Sequence, residues 1–153
     1  MLKLLAALGL AFALSALPAM AQTDADTNAT IDGVLMDHVP FRAAFDAIQK
    51  AVADGDKAAF AGWVSYPIDL TVAGKPMTIK DAKHFEEHYD AILTEEIRNA
   101  VTSQKWSALF ANYQGVMFGD GELWLSGICK DDKCANFDVK IITIQSTDNL
   151  KAN

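Results

Sequence analysis

Apolar positions follow two rhythms along this chain, and the change of rhythm divides it. Phe41, Ala44, Phe45, Ile48 and Val52 recur at spacings of three and four, one face of an amphipathic helix running on from Pro40. Asp54-Gly55-Asp56 ends it, and Asp56 caps a second short helix with Ala59, Phe60 and Trp63 apolar. The period then drops to two. Tyr66, Ile68, Leu70 and Val72 alternate strictly, Ala73-Gly74-Lys75 turns the chain, and the stretch from Pro76 to Lys80 returns as a partner strand.

Asp81 caps the next helix, where Ala82, Phe85, Tyr89 and Ile92 form the core stripe. Thr94, followed by Glu95 and Glu96, opens another that runs to about Thr102. Beyond it the pattern predicts strands over 106–113, 114–118, 122–128 and 136–144, with the tight Gly119-Asp120-Gly121 turn between two apolar runs as a hairpin signal. Helices precede strands rather than alternating with them. That order predicts an α+β fold with N-terminal helices packed on a mainly antiparallel sheet.

The two ends lack these rhythms. Lys3 followed by the apolar run Leu4–Leu17 and the small-residue site Ala19-Met20-Ala21 reads as a secretory signal peptide over residues 1–21. Residues 22–36 are mostly polar and small, a flexible leader; residues 147–153 form a flexible tail; the domain itself spans 37–146. The expected location is the periplasm or the outside of the cell, with no membrane attachment after cleavage.

Of 13 basic residues Lys3 lies in the signal segment, and 20 acidic residues remain, leaving a net charge of about −8 with His neutral. Such a surface repels nucleic acid and anionic membranes. Both cysteines flank one polar turn, Cys129-Lys-Asp-Asp-Lys-Cys134, between two strand-like runs. In an oxidising compartment they are expected to pair and staple a hairpin. The spacing departs from the C-x-x-C redox form, and two ligands do not complete a tetrahedral zinc site.

His84-Phe-Glu-Glu-His88 matches H-x-x-E-H, an inverted zinc-protease motif. Both histidines fall at or beyond the edge of the apolar stripe marked by Phe85, so the expectation is two solvated or half-buried side chains and no bound metal. His38 stands alone in this reading. No Gly-rich loop joins a strand to a helix, so a dinucleotide or nucleotide cofactor is not expected, nor any other.

Three stretches carry a resemblance: Val64-Ser-Tyr-Pro-Ile68; His88-Tyr-Asp-Ala-Ile-Leu-Thr94 with Arg98 soon after; and Tyr113-Gln-Gly-Val-Met-Phe-Gly-Asp-Gly-Glu-Leu-Trp124. Together with the order of elements they resemble the nuclear transport factor 2-like superfamily, and within it small exported bacterial proteins of unassigned function. The resemblance covers most of residues 40–145. It implies a cone-shaped roll, a strongly curved sheet wrapped around the helices with a pocket between them. Such pockets hold small apolar or amphipathic molecules, and some perform acid–base catalysis.

The residues placed to line such a pocket are Tyr66, Tyr89, Arg98, Gln114 and Trp124. Glu122, beside an apolar wall, and Asp90 are the candidate acids or bases, and Asp90 is also placed to pair with Arg98. The expected function is therefore an exported binding module for a small amphipathic molecule or an exported protein. The alternatives are an acid–base isomerase or dehydratase and a periplasmic inhibitor or immunity protein; an open sheet of this kind also allows a homodimer.

Overall fold

The computed structural model describes residues 21–147 and is α+β. Five helices, α1 (Asp24–Leu35), α2 (His38–Asp54), α3 (Lys57–Ala61), α4 (Ala82–Ile92) and α5 (Glu95–Ser103), join two antiparallel sheets. The hairpin β1 (Ile68–Val72) and β2 (Lys75–Ile79) forms the smaller sheet. The larger has the order β3 (Phe110–Asn112), β4 (Gly115–Phe118), β5 (Leu123–Cys129) and β6 (Phe137–Ile144).

The predicted caps are in place. The side chains of Asp56, Asp81 and Thr94 accept from Ala59, His84 and Ile97 backbone N–H groups, which would otherwise lack intrahelical partners. Gly55 closes α2 in the left-handed conformation at φ 67°, donating to Ala51 and Val52.

The apolar stripe of α2 and the inward positions of the sheet share one core. Phe45 stacks on Phe118 of β4 at 5.0 Å and meets Trp106 edge-on at 5.3 Å. Phe60 of α3 stacks on Phe85 of α4 at 5.7 Å, with Tyr89 edge-on to it. Rings therefore fill the space between the helices and the middle of the sheet. The link after α3 joins β6 in parallel: Ser65 N–H donates to Ile141 O, and Ile141 N–H to Trp63 O. A register shift between Trp124 and Leu125 leaves Ile142 as the extra residue opposite, exposed on the outer face.

Three expectations change. The supposed leader is largely helix α1. Its low apolar content hid it, but Thr23 and Asp26 form a reciprocal capping box, and Thr27 and Ile31 are buried. Trp106 Nε1 donates to Asn28 Oδ1 at 2.8 Å, so α1 is a wall of the domain and not a tether. Second, the predicted strand over 106–113 begins as a 3-10 turn, Trp106–Ala108, because Trp106 turns into the core beside Phe45; only Phe110–Asn112 pairs. Third, Thr147 belongs to the folded part: it is buried and held by Glu96 and Glu122. The signal segment, Ala21 apart, and residues 148–153 lie outside the described residues.

Gly115 shows how closely β4 and β5 approach. Its φ is 146°, and a Cβ there would sit 1.9 Å from Leu125 O, so no side chain fits without moving backbone.

Candidate functional site

Two hollows sit at opposite ends of α2. The first lies between the α1–α2 connection and the β5–β6 end of the sheet. It has a volume of about 270 Å³ and is lined chiefly by Leu35, Met36, Phe41, Tyr113, Ser126 and Phe137. The local sequence builds each wall. Asp37 caps α2 through Val39 N–H, which turns the chain sharply after Met36 and leaves that side chain 62% exposed at the rim. Phe41, one turn into α2, is buried and tilts against Phe137 at 6.1 Å. The β5–β6 turn closes the far side, stapled by the Cys129–Cys134 disulfide and organised by Asp131, which accepts from the N–H groups of Lys133, Ala135 and Asn136. These bonds hold the Asp131 carboxyl below its usual range. Gly127 keeps the floor low: a Cβ there would press to 2.9 Å from the Phe137 ring. Tyr113, 81% exposed, and Ser126 bring hydroxyls to an otherwise apolar lining, so the chemistry offered is that of an amphipathic guest.

The second hollow, about 320 Å³, lies where the C-terminal end of α2 meets α3, α4 and α5. It brings together three of the predicted site residues, Tyr89, Asp90 and Arg98, and adds Lys57, which sequence reasoning missed. Asp90 is gripped from both sides, by Lys57 Nζ at 2.6 Å and Arg98 Nη2 at 2.8 Å. The Lys57 contact, then burial and the Arg98 contact, set the balance, and the carboxyl is held below its usual range. Lys57 and Arg98 also face the Tyr89 ring, 5.5 and 5.7 Å from its centroid. Tyr89 is 2% exposed, and among the described residues its hydroxyl has no hydrogen-bond partner. Burial pushes this phenol's pKa up, more than Arg98 pulls it down.

The other predicted residues separate. Tyr66 donates its hydroxyl to Ala61 O at 2.9 Å, and burial raises its pKa strongly. It braces the α3 end and lines neither hollow. Gln114 and Trp124 meet in a third hollow on the outer face of the sheet, beside Ile142 and Thr143, where Trp124 leans edge-on against exposed Phe110. Glu122 is 1% exposed, beneath its own turn rather than in a cleft. It accepts from Asp120 N–H at 2.7 Å and from the Thr147 hydroxyl, which anchors the segment after β6 to the turn.

His84 and His88 are half-buried neighbours with rings 5.1 Å apart. His38, read as solitary, pairs with Asp32 at 2.8 Å, and with Asp37 they offer three donor atoms within 4.8 Å of one another. This group is solvent-facing and Asp37 already caps α2. Among the described residues no helix is long and apolar enough to cross a membrane.

Sequence reasoning missed the first hollow because its helical wall lay in the supposed leader. The signal was the apolar tetrad Gly33-Val-Leu-Met36 just before a capping Asp, which a flexible segment does not need. Comparison with family models, curated proteins and solved structures finds no match to this chain.

Proposed function

We propose that this chain is an exported, soluble binding module that holds a small amphipathic molecule in the hollow between the α1–α2 connection and the β5–β6 end of the sheet. One observation carries the reading: an apolar recess of about 270 Å³, lined by Phe41, Phe137 and Leu35, with exposed apolar residues at its mouth. A lone exposed Val or Met is ordinary, but Val34, Met36 and Tyr113 gathered at one opening are an apolar patch with a use. The guest's chain or ring enters against Phe41 and Phe137, and its polar end stays near Ser126 and the Tyr113 hydroxyl.

Three features support the wider setting. The helix, helix, hairpin, helix, helix, four-stranded meander order that follows α1 agrees with the nuclear transport factor 2-like resemblance. The disulfide agrees with an oxidising compartment, so the periplasm or cell exterior is the proposed location. Neither candidate carboxylate stands free in a cleft: Asp90 is gripped by two cations and Glu122 is buried in its turn. Binding therefore ranks above acid–base catalysis.

The test is thermal unfolding of the chain from Gln22 onward with octan-1-ol, octanoate and indole. Stabilisation grows as RT ln(1 + [L]/Kd), so a millimolar-range guest gives a small but saturating rise. Val34→Trp, an exposed substitution at the mouth, is expected to abolish the rise without changing the ligand-free midpoint. No stabilisation by any of the three overturns the reading.

A further inference from the structure

The hollow at the other end of α2 has features a merely structural ion pair does not explain. A buried phenol hydroxyl without a partner forfeits its hydrogen bonds to water and regains nothing. Phenylalanine would fill the same space without that cost. Yet Tyr89 stands there, walled by a lysine and an arginine. Those two cations share a single carboxylate, Asp90, which is itself exposed. The remaining acid in the wall, Asp54, is already paired with Lys50, and Asp56 caps α3. Capping leaves Asp56 charged, and it lies near enough to act on Tyr89, so the cleft is close to neutral while Asp90 is in place and turns positive once Asp90 swings away. Arg98 carries five N–H donors, and Asp90 takes one hydrogen bond from it.

We propose that this cleft binds an oxyanion, a carboxylate or phosphate group on a small molecule, and that Asp90 is its built-in competitor. The Asp90 carboxylate bridges Lys57 and Arg98 as an arriving anion would. It keeps the two cations gathered over the Tyr89 ring when the site is empty. The guest takes up unused Arg98 donors and the Lys57 ammonium, and it gives the Tyr89 hydroxyl an acceptor. Asp90 swings outward, where its exposure lets water solvate it. This site is independent of the apolar hollow at the opposite end of α2 and takes a different class of ligand.

The experiment titrates the chain from Gln22 onward with inorganic phosphate and, separately, with succinate, at constant low ionic strength, by calorimetry. Four proteins are compared: the unaltered chain, Asp90→Asn, Arg98→Gln and Tyr89→Phe. Removing the competitor's charge is expected to tighten binding roughly tenfold, and removing the guanidinium to weaken it at least as much. Tyr89→Phe is expected to bind several-fold more weakly while melting at a higher temperature. That opposed pair of changes separates a binding hydroxyl from a structural one. Binding of succinate alone assigns a carboxylate guest, and of phosphate alone a phosphate guest. No binding of either by any of the four proteins overturns the proposal. So does Asp90→Asn binding no better than the unaltered chain, or Tyr89→Phe binding equally well.

Discussion

The two ends of α2 solve the same problem in opposite ways. At its start, Phe41 shares a wall with Leu35, Met36 and Phe137, and apolar side chains define the recess. At its end, Val52 and Ala53 meet Lys57, Tyr89, Asp90 and Arg98, and charge defines the hollow. Val52 lies eleven positions after Phe41, about 16 Å along a helix. The contrast teaches where to look for function in a small domain. The middle of the core is filled by rings and carries stability. The two ends of α2, where packing gives way to loops, leave these two hollows. Because the two lie farther apart than the range over which substitutions usually couple, each can be changed without the other.

That independence can be broken in graded steps. The largest effect is expected from Phe41→Ala, which removes a buried ring serving both core and recess. It should cost about 3–5 kcal/mol in urea unfolding and enlarge the apolar recess, while the phosphate and succinate affinities of the folded protein hold. A parallel loss at the polar cleft would show the two ends to be one unit.

Next comes Cys129→Ser with Cys134→Ser. Opening so short a loop costs about 2 kcal/mol on a chain-entropy estimate, read as a lower urea midpoint. Octan-1-ol binding should weaken because Cys134 and Phe137 line its recess. Anion affinity should not move.

Smaller and opposite in sign is Tyr89→Phe, expected to gain about 1 kcal/mol in the same assay by removing the unpartnered hydroxyl. Destabilisation instead would mean that the hydroxyl is satisfied in solution.

Smallest is Asp90→Asn, best seen in pH dependence. Lys57 and Arg98 depress the folded pKa of Asp90 below its ordinary 3.8. Its contribution is therefore fully present above that value and lost as pH falls through the folded pKa. The exposed variant should melt almost like the unaltered chain at pH 7 and show a shallower acid slope. An unchanged slope would deny the depressed pKa.

The sequence made the polar end of α2 more legible than the apolar end, and the reason is physical. Caps and stripes are local: Asp81, Phe85, Tyr89 and Ile92 declared α4, and the spacing of Asp90 from Arg98 across one cap put the pair within reach. Lys57 was invisible because it arrives from 33 positions away in the chain. The apolar recess depends on α1, whose helix is held by long-range contacts, Ile31 in the core and Asn28 under Trp106, rather than by an apolar stripe. Glu122 misled for a related reason. Its place after Gly119-Asp120-Gly121 suggested a side chain at a cleft, but the turn folds back over it, and Thr147, far along the chain, completes its shell.

An amphipathic guest is expected to enter at the α1–α2 connection and not at the other hollows. The methyl groups of the methionines report this directly. Met36 stands at the mouth, Met77 on β2 and Met117 on the opposite side of the sheet from the core. In a methyl-labelled protein titrated with octan-1-ol, the Met36 resonance should shift along a saturating curve while those of Met77 and Met117 stay fixed. A Met36 signal that stays fixed, or equal drift of all three without saturation, would contradict it.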